Sequence, residues 1–275
     1  MTADRPQCPV CSTSNVTGIS AALYLCKPCG IAFNAGYNQK QYNDIYFLNE
    51  YRNQYGKTYI EDFDNIYSLS GQRLTRIMKY IKIKNDISAF SLLDIGSATG
   101  FFLQCARDSG IRNVAGIEIS EYASQYCRKK FQIPVIRSSF TEITLSEKYD
   151  IITAWFFIEH CNDPVPVLRK IYDALAEGGI FAFSVPSIFG PLFIRDKKSW
   201  IDTHPTDHRV DFSPGGIKKI LKKLGFRKII IRPAGMHPER IISTHSLLFK
   251  LFSLLYKFFA TLTSFSDTME VYAVK

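Results

Sequence analysis

Three groups of residues in this 275-residue chain have types and spacings that can do chemistry. The first is Asp94-Ile95-Gly96-Ser97-Ala98-Thr99-Gly100-Phe101, followed at a distance by Glu118. An apolar run, Leu92-Leu93, ends in a carboxylate, passes through small residues and re-enters apolar sequence at Phe101-Phe102-Leu103. A buried parallel strand hands over to a helix N-terminus beneath a nucleotide in this way. Gly96 and Gly100 let the backbone turn tightly and approach a ligand. Glu118 closes a second apolar run, Val114 to Ile117, where a carboxylate can accept both hydroxyls of a ribose.

The second group is Cys8-Pro9-Val10-Cys11 and Cys26-Lys27-Pro28-Cys29, two C-x-x-C pairs with fourteen residues between them. Each pair can place two thiolates on one tetrahedral metal, so the spacing predicts a structural zinc ribbon. Redox chemistry is the alternative for a C-x-x-C pair, but two pairs outside a thioredoxin-like pattern speak against it. Four thiolates leave no open position on the metal. Cys105, Cys127 and Cys161 read as buried small apolar residues.

The third group is histidine. His160 sits in Ile158-Glu159-His160-Cys161-Asn162-Asp163-Pro164, and His204 and His208 lie in the polar stretch 187–214. Neutral imidazole can take a proton near pH 7. His208 is the first candidate base, His160 the second and His204 the third, each with a structural hydrogen-bonding role as the alternative. Asp207 could orient His208.

Alternating apolar and helical patterns must position these groups. A helix is expected over 68–84, where Leu74, Ile77, Met78 and Ile81 recur among Arg73, Arg76, Lys79 and Lys82. It should pack on the sheet of the first strand. Further helices are expected from Phe102 to Asp108, closed by Gly110, over 121–131, over 165–176 and over 215–224, the last capped by Ser213-Pro214. Strands follow at 114–118, 134–136, 149–157, 180–186, 228–231 and 269–275. Residues 37–67 carry Tyr37, Tyr42, Tyr46, Tyr51, Tyr55, Tyr59 and Tyr67, with Tyr46 and Tyr51 the first candidates to close over a ligand. Stretch 187–214 reads as an irregular insertion.

A dinucleotide enzyme would need a third small residue where Phe101 stands. The motif instead resembles the class I S-adenosylmethionine-dependent methyltransferases, whose first motif reads acidic-x-Gly-x-small-x-Gly and whose second strand ends in an acidic residue. The order "helix, Glu177-Gly178-Gly179, apolar strand, Pro186" and the Glu159-His160 pair before Asp163-Pro164 resemble the same family, over about 71–232. The resemblance implies an α/β fold, a Rossmann-like seven-stranded mostly parallel sheet with helices on both faces, plus a small N-terminal zinc ribbon. It implies S-adenosylmethionine held by Asp94, Gly96, Ser97, Ala98, Gly100, Phe101, Glu118, Ile119, Ser139, Phe140, Ala154 and Trp155. Ala98 stands where the family usually has glycine, and the loop after the third strand, Arg137-Ser138-Ser139-Phe140, lacks its usual acidic residue. The expected domains are a ribbon over 1–35, a tyrosine-rich linker or lid over 36–70, and a methyltransferase domain over 71–275 with insertions at 187–214 and 236–265.

The formal charge is +9, and residues 195–232 hold eleven Lys/Arg against four Asp. That suits an anionic acceptor such as a nucleotide-sugar, although Lys218, Lys219, Lys222 and Lys223 also suit a solvated helix face. No leader peptide or membrane-length apolar run is read, and the cysteine pattern suits a reducing, cytoplasmic setting. The apolar run 241–262 reads as a core or lid helix or a dimer surface, with peripheral membrane contact as the alternative. The expected activity is O-methylation of a small carbohydrate or anionic acceptor: a sugar, nucleotide-sugar or glycolipid-type molecule. An RNA methyltransferase is the second reading, weakened because the ribbon holds only Arg5 and Lys27. A catalytically inactive adaptor is the third.

Overall fold

The computed structural model describes residues 6–38, 45–81 and 86–275; Arg5, Tyr42 and Lys82, named above, lie outside these residues. The strands in chain order are β1 (Thr17–Gly18), β2 (Leu23–Cys26), β3 (Ile31–Asn34), β4 (Ser91–Ile95), β5 (Asn113–Glu118), β6 (Val135–Arg137), β7 (Tyr149–Trp155), β8 (Leu175–Pro186), β9 (Val210–Phe212), β10 (Lys228–Ala234) and β11 (Thr268–Val274). The helices are α1 (Tyr51–Tyr55), α2 (Phe63–Tyr80), α3 (Phe101–Asp108), α4 (Glu121–Phe131), α5 (Pro164–Ala174), α6 (Pro191–Arg195), α7 (Lys197–Asp202), α8 (Pro214–Leu224) and α9 (Phe249–Thr263).

Seven strands form one mostly parallel sheet in the order β10-β11-β8-β7-β4-β5-β6, as expected for a Rossmann-like α/β fold. Strand β4 pairs in parallel with β5 on one side and β7 on the other, and β5 pairs in parallel with β6. Strand order therefore reverses at β4, which is where such sheets open a crevice for a ligand beyond their carboxyl ends. Leu92, Leu93, Ile95, Ile151, Ile152 and Ala154 are all buried. These strands are apolar on both faces because both faces are covered.

By internal packing the chain divides into two units, each assembled from separated stretches. One comprises Lys40–Trp155, Lys170–Ala182 and Tyr272–Lys275. Here α2 begins at Phe63, earlier than its periodicity suggests, because the Phe63 ring meets Phe101 edge-on at 4.9 Å and stacks near Phe131 at 6.4 Å. It packs on α3, and its Arg73 and Tyr80 meet Trp155 of β7 and Tyr272 of β11.

The other unit comprises Met1–Gln39, Phe156–Arg169 and Phe183–Val271. Its small antiparallel sheet has the order β1-β2-β3-β9, so a strand from residues 210–212 completes the sheet of the cysteine-bearing segment. Stretch 187–214 is thus not irregular: it holds α6, α7 and β9. Its Ile188, Phe193 and Trp200 bury against Leu23 and Ala32, a tertiary partnership that a polar local composition hides. The Ser213 hydroxyl caps α8 by accepting from Gly216 N–H and donates to the Gly30 carbonyl.

Other boundaries differ from the expected ones as well. Helix α5 ends at Ala174, and β8 already begins at Leu175, running through Gly178-Gly179. Gly178 has φ +76°, and a Cβ on Gly179 would lie 2.9 Å from the carbonyl oxygens of Ala176 and Asp150. Helix α9 starts at Phe249, not 241. The Ser243 and Ser246 hydroxyls accept from the N–H groups of His245 and Leu248, and such local turns compete with helix.

Candidate functional site

The loop after β4 takes its shape from three left-handed residues: Gly96 at φ 69°, Ala98 at 48° and Gly100 at 83°. A Cβ on Gly100 would collide with Cys127 Sγ, so this glycine is required both by conformation and by the helix behind it. Ala98 tolerates its backbone because its N–H donates to Glu118 Oε2 at 2.8 Å. Ser120 N–H donates to Glu118 Oε1 at 2.8 Å, fixing the carboxylate between the ends of two strands. Each oxygen keeps a lone pair for a further donor. Burial raises the Glu118 pKa against these amide bonds.

Asp94 accepts from Thr153 Oγ1 at 2.6 Å. Burial pushes its pKa up to about 7, while Thr153 and the Arg73 guanidinium pull it down. Arg73 is itself buried on α2 and lies 4.1 Å from the Trp155 ring centroid. Around this loop, Ser97 Oγ, Thr99 Oγ1 and Trp155 Nε1 are buried without a hydrogen-bond partner among the described residues. Orphaned polar atoms flanking a left-handed loop, a seated carboxylate and a helix N-terminus fit a polar nucleoside ligand such as S-adenosylmethionine.

The other expected cofactor residues divide by environment. Ala154 is buried beside Trp155, and Trp155 packs on Phe102 at 5.3 Å. Ile119 presents an exposed apolar side chain directly after Glu118. Phe101 is wholly buried, stacked on Tyr59 at 5.5 Å, so only its backbone is offered to a ligand. Ser139 Oγ and Thr141 Oγ1 are hydrogen-bonded at 2.7 Å, and Lys170 Nζ sits over the Phe140 ring and binds its carbonyl.

Of the tyrosines, Tyr51 donates to Asp62 Oδ2 at 2.6 Å, and that tie holds it within its own segment. Its ring packs on that of Tyr59 at 5.0 Å, and Tyr59 stacks on Phe101, where burial raises its pKa. Sequence reasoning missed Tyr59, Arg73, Thr99 and Thr153. For Arg73 a signal existed, since it shares the apolar face of α2 with Ser70, Leu74 and Ile77.

The three histidines gather in the other unit. His204 Nε2 lies 2.7 Å from Asp211 Oδ2, and His208 Nδ1 lies 3.6 Å from Asp211 Oδ1. His160 Nδ1 is 2.8 Å from the Asp207 carbonyl and its ring is 4.9 Å from that of His208. Asp207 meets His160 through its carbonyl and, at 3.5 Å, its carboxylate, while Asp211 lies by His208. Burial and the neighbouring His208 lower the His160 pKa to about 4. Burial also opposes charge on His208, but Asp211 and Glu159 outweigh it and the pKa of His208 is raised. Asp211 is buried, yet its two histidine partners hold its pKa far below the usual carboxylate range. Glu159 is wholly buried, its oxygens have no hydrogen-bond partner among the described residues, and burial pushes its pKa up to about 8. Two overlapping sets, Glu159-His160-His208 and His204-His208-Asp211, keep their ligand atoms within 4.8 Å.

Cys8, Cys11, Cys26 and Cys29 converge with their sulfurs within 4.8 Å of one another. The two turns match: Ser12 N–H donates to the Cys8 carbonyl and Gly30 N–H to that of Cys26, each at 2.9 Å. Ser12 and Gly30 are both left-handed, at φ 57° and 65°. Val10 N–H points at Cys8 Sγ at 3.4 Å. Paired turns that bring four thiols together, with an amide aimed at one sulfur, fit a tetrahedral thiolate-bound ion.

The parallel sheet, the strand-order reversal and the loop with its carboxylate define a nucleoside-binding α/β protein. Residues 44–230 match the family described as a methyltransferase domain. The chain belongs to that family. It is 26% identical over 160 residues to the ubiquinone biosynthesis O-methyltransferase of Hydrogenovibrio crunogenus, covering 54% of this chain and spanning 64% of that protein's length. Among solved structures, a SAM-dependent methyltransferase from Archaeoglobus fulgidus superposes with a TM-score of 0.55 at 21% identity, over 84% of this chain and all (100%) of that one. A phosphoethanolamine N-methyltransferase of Haemonchus contortus, in complex with S-adenosylhomocysteine, gives 0.53 at 17% identity, over 74% of this chain and 52% of that one. These structural likenesses concern the fold.

Proposed function

We propose that this methyltransferase O-methylates a small-molecule hydroxyl, on a sugar, nucleotide-sugar or glycolipid-type acceptor. The observation that carries the reading is the half-buried imidazole pair on Asp211, with His208 as the general base. S-adenosylmethionine, when bound, would supply an activated methyl group whose bonding pair stays with the sulfur. Asp94, the 96–100 loop and Glu118 hold it. His208 would take the acceptor's hydroxyl proton, and Asp211 would stabilise the resulting imidazolium. His204, on the second oxygen of Asp211, keeps that carboxylate oriented. The O-methyltransferase relative supports oxygen as the acceptor atom, and the basic stretch 195–232 supports an anionic acceptor.

The test is transfer of labelled methyl to cell-extract pools of small molecules, lipids and RNA. Label in the first or second supports the reading; label in RNA alone sinks it. With an acceptor in hand, His208→Gln lowers kcat by about 100-fold or more while leaving the cofactor Kd unchanged. Because the His208 pKa is raised above its ordinary 6.5, its base form is gained, and kcat/KM climbs, only above that pH. A structural zinc on Cys8, Cys11, Cys26 and Cys29 completes the proposal.

A further inference from the structure

Helix α9 and the turn before it carry Leu247, Leu248, Leu251, Leu254, Leu255, Phe258, Phe259 and Leu262, each between 49% and 102% exposed. The helix buries only Tyr256 and Ala260. It is therefore not a core helix, although it lies between β10 and β11 in the chain as expected. Eight large apolar side chains on one short element far exceed the scattered exposure usual for a soluble surface.

We propose that α9 seats this face in the surface of an anionic lipid bilayer. The charge pattern selects lipid over the other possible occupants. Residues 212–266 hold ten Lys/Arg and one acidic residue, Glu239, which equals the whole chain's +9. The remainder of the chain is neutral. Segment 241–266 contains no Asp or Glu, and Lys250 and Lys257 stand one heptad apart on α9, both exposed. Such lysines rest their stems on acyl chains and lift their ammonium groups to phosphates. Helices α8 and α9 both pack on β10, so the exposed Lys218, Lys219, Lys222 and Lys223 of α8 share that sheet-edge strand with the apolar helix. A second copy seated on this region would set like-charged segments against each other, whereas acidic headgroups neutralise them. Fifteen residues make α9 about 22 Å long. No helix among the described residues is long and apolar enough to cross a membrane. The helix therefore lies in the interfacial plane, apolar side down.

This inference goes beyond the proposed acceptor and does not depend on it. The full chain is sedimented with vesicles of phosphatidylglycerol and phosphatidylcholine, and with vesicles of phosphatidylcholine alone. Expected is binding to the anionic vesicles, weakening as salt rises, with at least tenfold less on the neutral ones. Leu254→Ser/Phe258→Ser and Lys250→Glu/Lys257→Glu each lower anionic binding at least tenfold, while titration of S-adenosylmethionine stays unchanged and reports an intact fold. No sedimentation with anionic vesicles overturns the proposal. So does undiminished binding by either double variant. Light scattering that shows a dimer, which the serine variant converts to monomer without vesicle binding, assigns the face to a second copy instead.

Discussion

Gly100 shows how one residue can be fixed by two requirements at once. Its φ of 83° favours glycine, and a Cβ would strike Cys127 on α4. Gly100→Ala should destabilise the chain by about 1–3 kcal/mol, with cofactor binding falling in parallel. Adding Cys127→Ala should remove the Sγ clash and recover part of the loss, leaving the Cβ contact at 3.0 Å and about 1 kcal/mol of conformational cost; chemical denaturation of the single and double variants checks this. Glu159 makes a pH prediction of definite sign. Its folded pKa of about 8 lies above the ordinary 4.5, so the native state keeps a proton that the unfolded chain has lost. Its contribution is fully present below pH 4.5 and is lost as pH rises through about 8. Glu159→Gln should match the wild type at pH 4.5 and gain on the order of a few kcal/mol over it by pH 8.5, read as the difference between their melting curves.

At the scale of elements, the small sheet is where distant stretches depend on each other. Strand β3 pairs with β9, and Arg209 N–H and guanidinium groups meet the carbonyls of Glu159 and Asn34. Loss of the proposed ion should therefore loosen more than the cysteine turns. One zinc per chain is expected by elemental analysis, falling below one in Cys8→Ser/Cys26→Ser. Chelation should raise amide exchange in β2, β3 and β9 while β4 and β5 keep their protection. Equal protection of β9 with and without metal would count against that coupling. Helix boundaries belong to the same scale: α2 is lengthened by ring contacts of Phe63, and α9 is shortened by two serines, neither visible in a hydrophobic period.

Across the whole molecule, charge is partitioned rather than spread. With all of the net +9 carried by 212–266, replacing Lys218, Lys219, Lys222 and Lys223 by Glu brings the chain close to neutrality. The four side chains are exposed on a capped, glycine-terminated helix, so folding should survive. Retention on a cation exchanger should collapse while S-adenosylmethionine affinity stays within about twofold, because exposed charges are screened by salt. A large loss of cofactor affinity would show that α8 is more than a charged surface.

The sequence by itself determined the parallel sheet, the loop from Asp94 to Gly100, Glu118 and the four cysteines. Each is written locally: an apolar run that must be buried, glycines that alone suit positive φ, and thiols whose spacing matches one ion. Only the tertiary structure decided that Asp211, which the sequence reading passed over, meets both His204 and His208, that Asp207 meets His160, and that Tyr59 stacks on Phe101 after the 96–100 loop. It also decided that 210–212 completes the cysteine-bearing sheet and that α9 stays uncovered. Those outcomes depend on which surfaces meet after the chain has closed on itself, and residues far apart in sequence leave no local period to announce it.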